Sequence, residues 1–214
     1  MLDDTPRTQG GSTCVAPGRC YDSRVRSGLF MTLACASLMG AAGCGRPARA
    51  GVDREAAQYE QYRQPQKVIA GLALAPGMRV ADVGAGRGFL TTRIAAAVGA
   101  RGHVVATDID GRALAAIAPA PAIETRVVRA DDPGLERGAY DRILVAEVDQ
   151  YLPDRAGYLA RLARALAPGG FIAVSNRMPY RAPLLAAAAR AGLRATELPL
   201  GLPAHFFVKL EPTP

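Results

Sequence analysis

Apolar positions along this chain fall into short continuous runs that alternate with stretches at helical spacing. The runs Arg79–Val83, His103–Asp108, Thr125–Ala130, Tyr140–Ala146 and Phe171–Ser175 read as strands. Most are apolar on both faces, as strands buried in a parallel sheet must be. Between them Leu90, Ile94 and Ala97 recur at helical spacing, as do Leu159, Leu162 and Leu166. A brief helix is predicted over Gly111–Ile117, and a last one over Ala182–Ala191 with Gly192 as its stop signal. Strand and helix in alternation predict an α/β, doubly wound, mostly parallel sheet. Leu198–Leu202 and His205–Leu210 are predicted as a closing pair of strands, turning at Gly201–Pro203. Ahead of the first strand, Val52–Tyr62 reads as a polar helix ending near Pro65, and Pro65 suits the first turn of another. The inner face of that next helix is Val68, Ile69 and Leu72.

The first 51 residues break this rhythm. Residues 1–23 are rich in Gly, Thr, Ser, Pro and Asp without apolar periodicity, and read as a disordered or untranslated leader. Residues 24–43 carry Arg24 and Arg26 before an uncharged stretch of 16 residues, Gly28–Gly43. That stretch is short for a membrane span, which needs roughly 20 residues, and suits a secretory signal. Ala41-Ala-Gly-Cys44 resembles the lipobox of bacterial lipoproteins, with Ala where Leu is usual three positions before the cysteine. The resemblance implies cleavage before Cys44, a lipid on its sulfur, and a membrane-anchored protein facing the periplasm or exterior. A failed signal and a cytoplasmic enzyme is the alternative. Residues 44–51 then form a tether, and the domain runs over 52–214.

All four cysteines lie within the first 44 residues, so the domain has no disulfide and no thiolate chemistry. The 214 residues suffice for one such domain with a substantial core. The net charge of +7 is spread along the chain without a dense basic run with interleaved aromatics, so charge alone does not imply nucleic acid.

The chemistry lies in Asp82-Val-Gly-Ala-Gly-Arg-Gly88, a strand-to-helix turn with glycine at every second position. Glycine there permits φ > 0 and a close approach of backbone to ligand. A dinucleotide fingerprint needs glycine at 84, 86 and 89, and position 89 is Phe; a phosphate loop needs a lysine that the turn lacks. The pattern D-x-G-x-G-x-G resembles motif I of class I S-adenosylmethionine-dependent methyltransferases. A second acid, Asp108, ends the next strand 24 positions after Gly84, where that family places one.

The resemblance covers Tyr59 to about Glu211. It implies a Rossmann-like, seven-stranded sheet of order 3-2-1-4-5-7-6 with an antiparallel last strand, and S-adenosylmethionine as cofactor. It gives Asp82, Gly84, Ala85, Gly86 and Gly88 to the cofactor turn, Asp108 to the ribose hydroxyls, and Ile109 to the adenine ring. Asp131, with Asp132 beside it, corresponds to the acid that receives the adenine amino group, although an Asp before Pro also stabilises a turn. Tyr59-Glu-Gln-Tyr-Arg-Gln-Pro65 looks like the segment that lies over the cofactor in a group of small methyltransferases predicted from sequence. Two roles stay open for Tyr59, Tyr62 and Arg63: contact with cofactor or substrate, and packing.

After the fourth strand, Glu147, Asp149 and Tyr151 are the candidate catalytic groups, with Glu147 also beside the cofactor. Ligands in such sheets sit outside the carboxyl ends of the strands, and a carboxylate there can orient a nucleophile or accept its proton. A structural role for Glu147 and Asp149 is as well supported. His103 opens its strand at the wrong edge; His205 begins the antiparallel strand, and packing is the favoured role for it. Methyl transfer to a small-molecule or other acceptor is the function implied. The alternative is an exported binding module that keeps the fold without catalysis.

Overall fold

The computed structural model describes residues 60–213. The expected leader (1–23), signal (24–43), lipid attachment at Cys44, tether (44–51) and Tyr59 all fall outside these residues. Residues 60–63 end a helix. Then follow α1 (Pro65–Gly71), β1 (Arg79–Val83), α2 (Thr91–Val98), β2 (His103–Asp108), α3 (Gly111–Leu114), β3 (Ile123–Val127) and β4 (Tyr140–Ala146). The second half comprises α4 (Arg155–Ala165), β5 (Leu166–Arg177), α5 (Arg181–Arg190), β6 (Leu193–Glu197) and β7 (His205–Pro212). Pro65 opens α1, where its missing N–H has no intrahelical partner to lose. Asp154 caps α4 by accepting the Gly157 N–H at 3.0 Å.

The seven strands form one sheet in the order β3-β2-β1-β4-β5-β7-β6, as expected. β1 lies between β2 and β4 and runs parallel to both, while β7 is antiparallel to β5 and β6. Successive residues of each central strand feed opposite cores. Val80, Val104, Leu144, Ala173 and Phe207 meet Val68 and Leu72 of the α1 segment and Ile94 and Val98 of α2. Their neighbours Ala81, Val105, Val145, Val174 and Val208 meet Tyr158, Leu159 and Leu162 of α4 and Leu184, Ala187 and Ala188 of α5. Each fully buried Val, Leu or Ile contributes about 1.5–3 kcal/mol. A sheet covered on both sides leaves its strand ends as the exposed backbone, and these carry the site. No helix of the described residues is long and apolar enough to cross a membrane.

Several boundaries differ from the expectation. The sixth strand is Leu193–Glu197, not Leu198–Leu202. Pro199 lies within that leucine run and Pro203 follows it, and neither can donate to a ladder, so Leu198, Leu200 and Leu202 pack from a loop onto the α1–α2 core. The fifth strand starts at Leu166, which therefore leaves the helical stripe and pairs with Tyr140. The register shifts between Tyr140 and Arg142, and Ala167–Gly170 is absorbed as an irregularity inside the strand. Gly170 is required there, since a Cβ would stand 2.8 Å from the Tyr140 carbonyl oxygen. β3 and α3 are shorter than expected and end at Val127 and Leu114.

Candidate active site

The glycine turn leaves the carboxyl end of β1 with Gly84, Gly86 and Gly88 at φ 72°, 54° and 78°. Two of these glycines are fixed by protein. A Cβ on Gly84 would lie 2.2 Å from Val148 Cγ2, and one on Gly88 would lie 2.7 Å from Ile117 Cγ1. The N–H groups of Gly84 and Ala85 both donate to the Thr107 carbonyl, at 2.7 and 3.0 Å, which ties the turn to β2. Gly86 is different: a Cβ there would meet nothing within 4 Å. The middle of the turn therefore faces open space, where a bare backbone lets a ligand approach.

Two acids flank the turn. Asp82 is buried at the end of β1 and accepts the Thr91 hydroxyl at 2.6 Å. Burial pushes its pKa up to about 6, helped by the charge of Asp108 and opposed by the Thr91 hydrogen bond. Asp108 ends β2 and accepts the Gly86 N–H at 2.8 Å on one oxygen and the Asp110 N–H at 2.9 Å on the other. Each carboxylate oxygen has a second lone pair, so Asp108 can still accept hydroxyl groups.

A cavity of about 230 Å³ opens beside this turn. Val83, Val128, Val148 and Leu152 supply apolar walls, and Gly84, Thr107, Asp108, Ile109, Arg129, Ala130, Tyr151 and Tyr158 complete it. Ile109 and Tyr151 expose 65% and 74% of their surface at this cavity. Thr107 Oγ1 is buried without a hydrogen-bond partner among the described residues. An apolar slot with a ribose-type acceptor and an orphaned hydroxyl fits a nucleoside. Asp131 and Asp132 line a separate cleft with Arg137, Arg161 and Arg164; Asp131 pairs with Arg129 at 3.0 Å, and Asp132 accepts the Gly134 N–H. Ala130, not Asp131, reaches the nucleoside cavity: the chain turns at Ala130-Asp131, where the Asp132 N–H donates to the Arg129 carbonyl at 3.2 Å. Tyr62 is exposed and lines neither cavity of the site.

Beyond the turn lies a second, smaller cavity of about 20 Å³, bounded by Arg63, Val68, Phe89, Leu90, Ala146, Glu147, Ser175 and His205. Glu147 has φ 57°, a left-handed conformation that costs a non-glycine residue roughly 1–2 kcal/mol. Its Oε2 accepts from Arg63 at 2.5 Å and its Oε1 meets His205 Nε2 at 2.8 Å. Burial alone would raise the pKa of Glu147. The His205 hydrogen bond and the charges of Arg63, His205 and Arg177 together outweigh this and hold it below the usual range. Sequence reasoning left His205 out of the site, since 58 positions separate it from Glu147. The available signal was its place at the start of the one strand that runs backwards.

Asp149 and Tyr151 part company. Tyr151 rims the nucleoside cavity, whereas Asp149 is fully buried beneath the loop. Its carboxylate accepts Asn176 Nδ2 at 2.5 Å and lies 3.4 Å from Arg155 Nε; burial raises its pKa despite both. Asp149 thus holds the loop and has no surface from which to meet an acceptor. Asn176→Ala would strip this buried carboxyl of a donor, at a cost of about 1–3 kcal/mol. Urea unfolding of the variant should show that loss, and S-adenosylhomocysteine affinity should fall with it as Tyr151 loosens. Unchanged values for both would refute the anchoring role.

Residues 81–172 match the family described as a methyltransferase domain. A nocamycin O-methyltransferase from Saccharothrix syringae is 36% identical over 110 residues, which are 49% of this chain and 39% of that protein. The chain therefore spans well under half of that relative. Among solved structures, an S-adenosylmethionine-dependent methyltransferase from Aquifex aeolicus superposes with a TM-score of 0.65 at 20% identity, over 77% of this chain and 97% of the other. A TehB-like S-adenosylmethionine-dependent methyltransferase from Corynebacterium glutamicum gives 0.59 at 16% identity, over 77% and 100%. Strand order, glycine turn and these likenesses agree: the domain has the class I methyltransferase fold, and its cofactor is S-adenosylmethionine.

Proposed function

We propose that this chain transfers a methyl group from S-adenosylmethionine to an acceptor, in line, at the carboxyl edge of the sheet. The observation that carries the reading is the open space over Gly86, whose N–H donates to the Asp108 carboxylate at the carboxyl edge of the sheet. When bound, the cofactor supplies an electrophilic methyl group on a cationic sulfur. Asp108 would hold the ribose hydroxyls, and Thr107, Ile109, Val128, Val148 and Tyr151 would enclose the adenine. Gly86 gives the backbone room for the remainder. Asp82 and Asp108 place carboxylates at the turn, which favours a cationic ligand. Holding acceptor and methyl in line supplies much of the acceleration by itself. The likeness to a nocamycin O-methyltransferase agrees with a small-molecule acceptor.

Calorimetry of the full chain with S-adenosylhomocysteine tests this. Micromolar or tighter binding is expected, with NAD bound far more weakly. Hydrogen bonds to a charged carboxylate contribute about 1.5–3 kcal/mol each, so Asp108→Ala should weaken binding at least about tenfold. Equal affinity in parent and variant would sink the proposal.

A further inference from the structure

We propose that the small cavity beside Glu147 receives a hydroxyl oxygen of the acceptor, and that His205 Nδ1 takes its proton as general base. The inference rests on the methyl-transfer reading above and names its acceptor class: an alcohol or phenol.

Four observations converge on it. The cavity of about 20 Å³ has room for a single water or hydroxyl oxygen, and Arg63, Glu147, Ser175 and His205 give it polar walls. The imidazole of His205 is 8% exposed and meets Glu147 through Nε2, while Nδ1 is buried without a partner among the described residues. Glu147 is held in its ionised form, so the nitrogen facing it carries the proton. In the neutral ring Nδ1 is then a bare acceptor, and a buried acceptor left unmatched costs about 1–3 kcal/mol. A hydroxyl donor satisfies it. Finally, Glu147 is kept in a strained backbone conformation at the point where its carboxylate bridges Arg63 and His205. Strain of this kind persists where the surroundings fix a side chain for a task.

The charges around the imidazole select oxygen over nitrogen. Glu147 faces it from the end of β4, Arg63 lines the same cavity from the segment before α1, and Arg177 is its register partner on β5. Two guanidinium groups repel an ammonium acceptor and favour a developing oxyanion. In the step itself the acceptor O–H proton passes to Nδ1, and an oxygen lone pair forms the new O–CH3 bond. The electron pair of the broken C–S bond stays on the sulfur, leaving S-adenosylhomocysteine and an imidazolium beside the Glu147 carboxylate. That proton returns to solvent when the product leaves. His205 is a catalytic residue in this scheme; Glu147 acts through it as a positioning residue.

The test uses the full chain with 15N-labelled histidine, S-adenosylmethionine, and phenol or benzylamine as probe acceptors. At a pH where the His205 ring is neutral, its nitrogens should report Nε2–H with unprotonated Nδ1, and Glu147→Gln should mix the tautomers. Transfer to phenol should exceed transfer to benzylamine. His205→Gln should lower kcat at least about 100-fold while S-adenosylhomocysteine affinity stays within about twofold. The parent's kcat should rise with pH to a plateau, and the variant should lose that rise. An Nδ1–H tautomer overturns the proposal even if neither probe is methylated. Preference for benzylamine, or an unaffected His205→Gln variant, overturns it as well. Cofactor binding is read separately by calorimetry, so failure of the base and failure of the methyltransferase reading remain distinct.

Discussion

Gly84→Ala should lose about 2–5 kcal/mol of stability and all measurable S-adenosylhomocysteine binding, whereas Gly86→Val should lose the binding at a cost of about 1–2 kcal/mol. The contrast follows from what each missing Cβ would meet. Both glycines have positive φ, which alone costs an L-residue roughly 1–2 kcal/mol. At Gly84 the new methyl would also lie 2.2 Å from Val148 Cγ2, and overpacking of that kind adds about 1–3 kcal/mol. Relief requires Val148 to move, and Val148 is a wall of the nucleoside cavity. At Gly86 nothing stands within 4 Å, so the fold tolerates the side chain and only the ligand meets it. Urea unfolding with calorimetry separates the two. Comparable stability losses, or normal binding by Gly86→Val, would show that the turn is a connector.

The second large effect is a pH dependence centred on Asp82. Its pKa rises from 3.8 to about 6 because burial disfavours the charge, with Asp108 adding repulsion. The folded state therefore holds this proton more tightly than the unfolded state does. The corresponding stability is fully present below pH about 4, falls as pH rises through 6, and is gone above it. A shift of this size corresponds to about 3 kcal/mol. Other carboxylates run the opposite way: Glu136, gripped by Arg126, and Glu124 beside the same guanidinium are held below the usual range. Only a difference isolates Asp82. Asp82→Asn keeps an acceptor for the Thr91 hydroxyl and removes the titration. Measured by urea unfolding, it should match the parent near pH 4 and exceed it by up to about 3 kcal/mol at pH 7.5. The same variant should bind S-adenosylmethionine more weakly, having lost a negative charge beside the turn. A parent-minus-variant difference flat across this range would refute the assignment.

The fold was legible because its rules are local. Runs such as Val104–Ala106 and Ile143–Val145 have no polar face, which only a sheet covered on both sides accepts. The glycine turn and the two acids beside it were legible too, since Asp82, Gly84, Gly86, Gly88 and Asp108 lie within 27 residues and their spacing is the signal. Two kinds of detail were not. Strand ends near proline depend on ladder partners, so Leu198–Leu202 mimicked an alternating strand that Pro199 and Pro203 forbid. The surroundings of Glu147 depend on contacts between distant segments: Arg63, Glu147 and His205 meet only once the sheet is closed, and so do Asp149 and Asn176. Periodicity says nothing of which buried atom remains unpartnered. For the same reason Asp149 and Glu147 looked equivalent in sequence, although one is sealed beneath its loop and the other lines a cavity.

The reversed direction of β7 has a consequence for how such a site can diverge. Every parallel strand reaches the ligand edge with its last residue, but β7 reaches it with its first, His205, after α5 and β6 have passed. Residues 82–158 can thus keep their grip on the nucleoside while the segment from 178 onward is exchanged wholesale. The family match ends at residue 172, short of that segment. Two chains with this turn and this sheet can therefore share an ancestor for the methyl donor and inherit the chemistry of their acceptors from different ones.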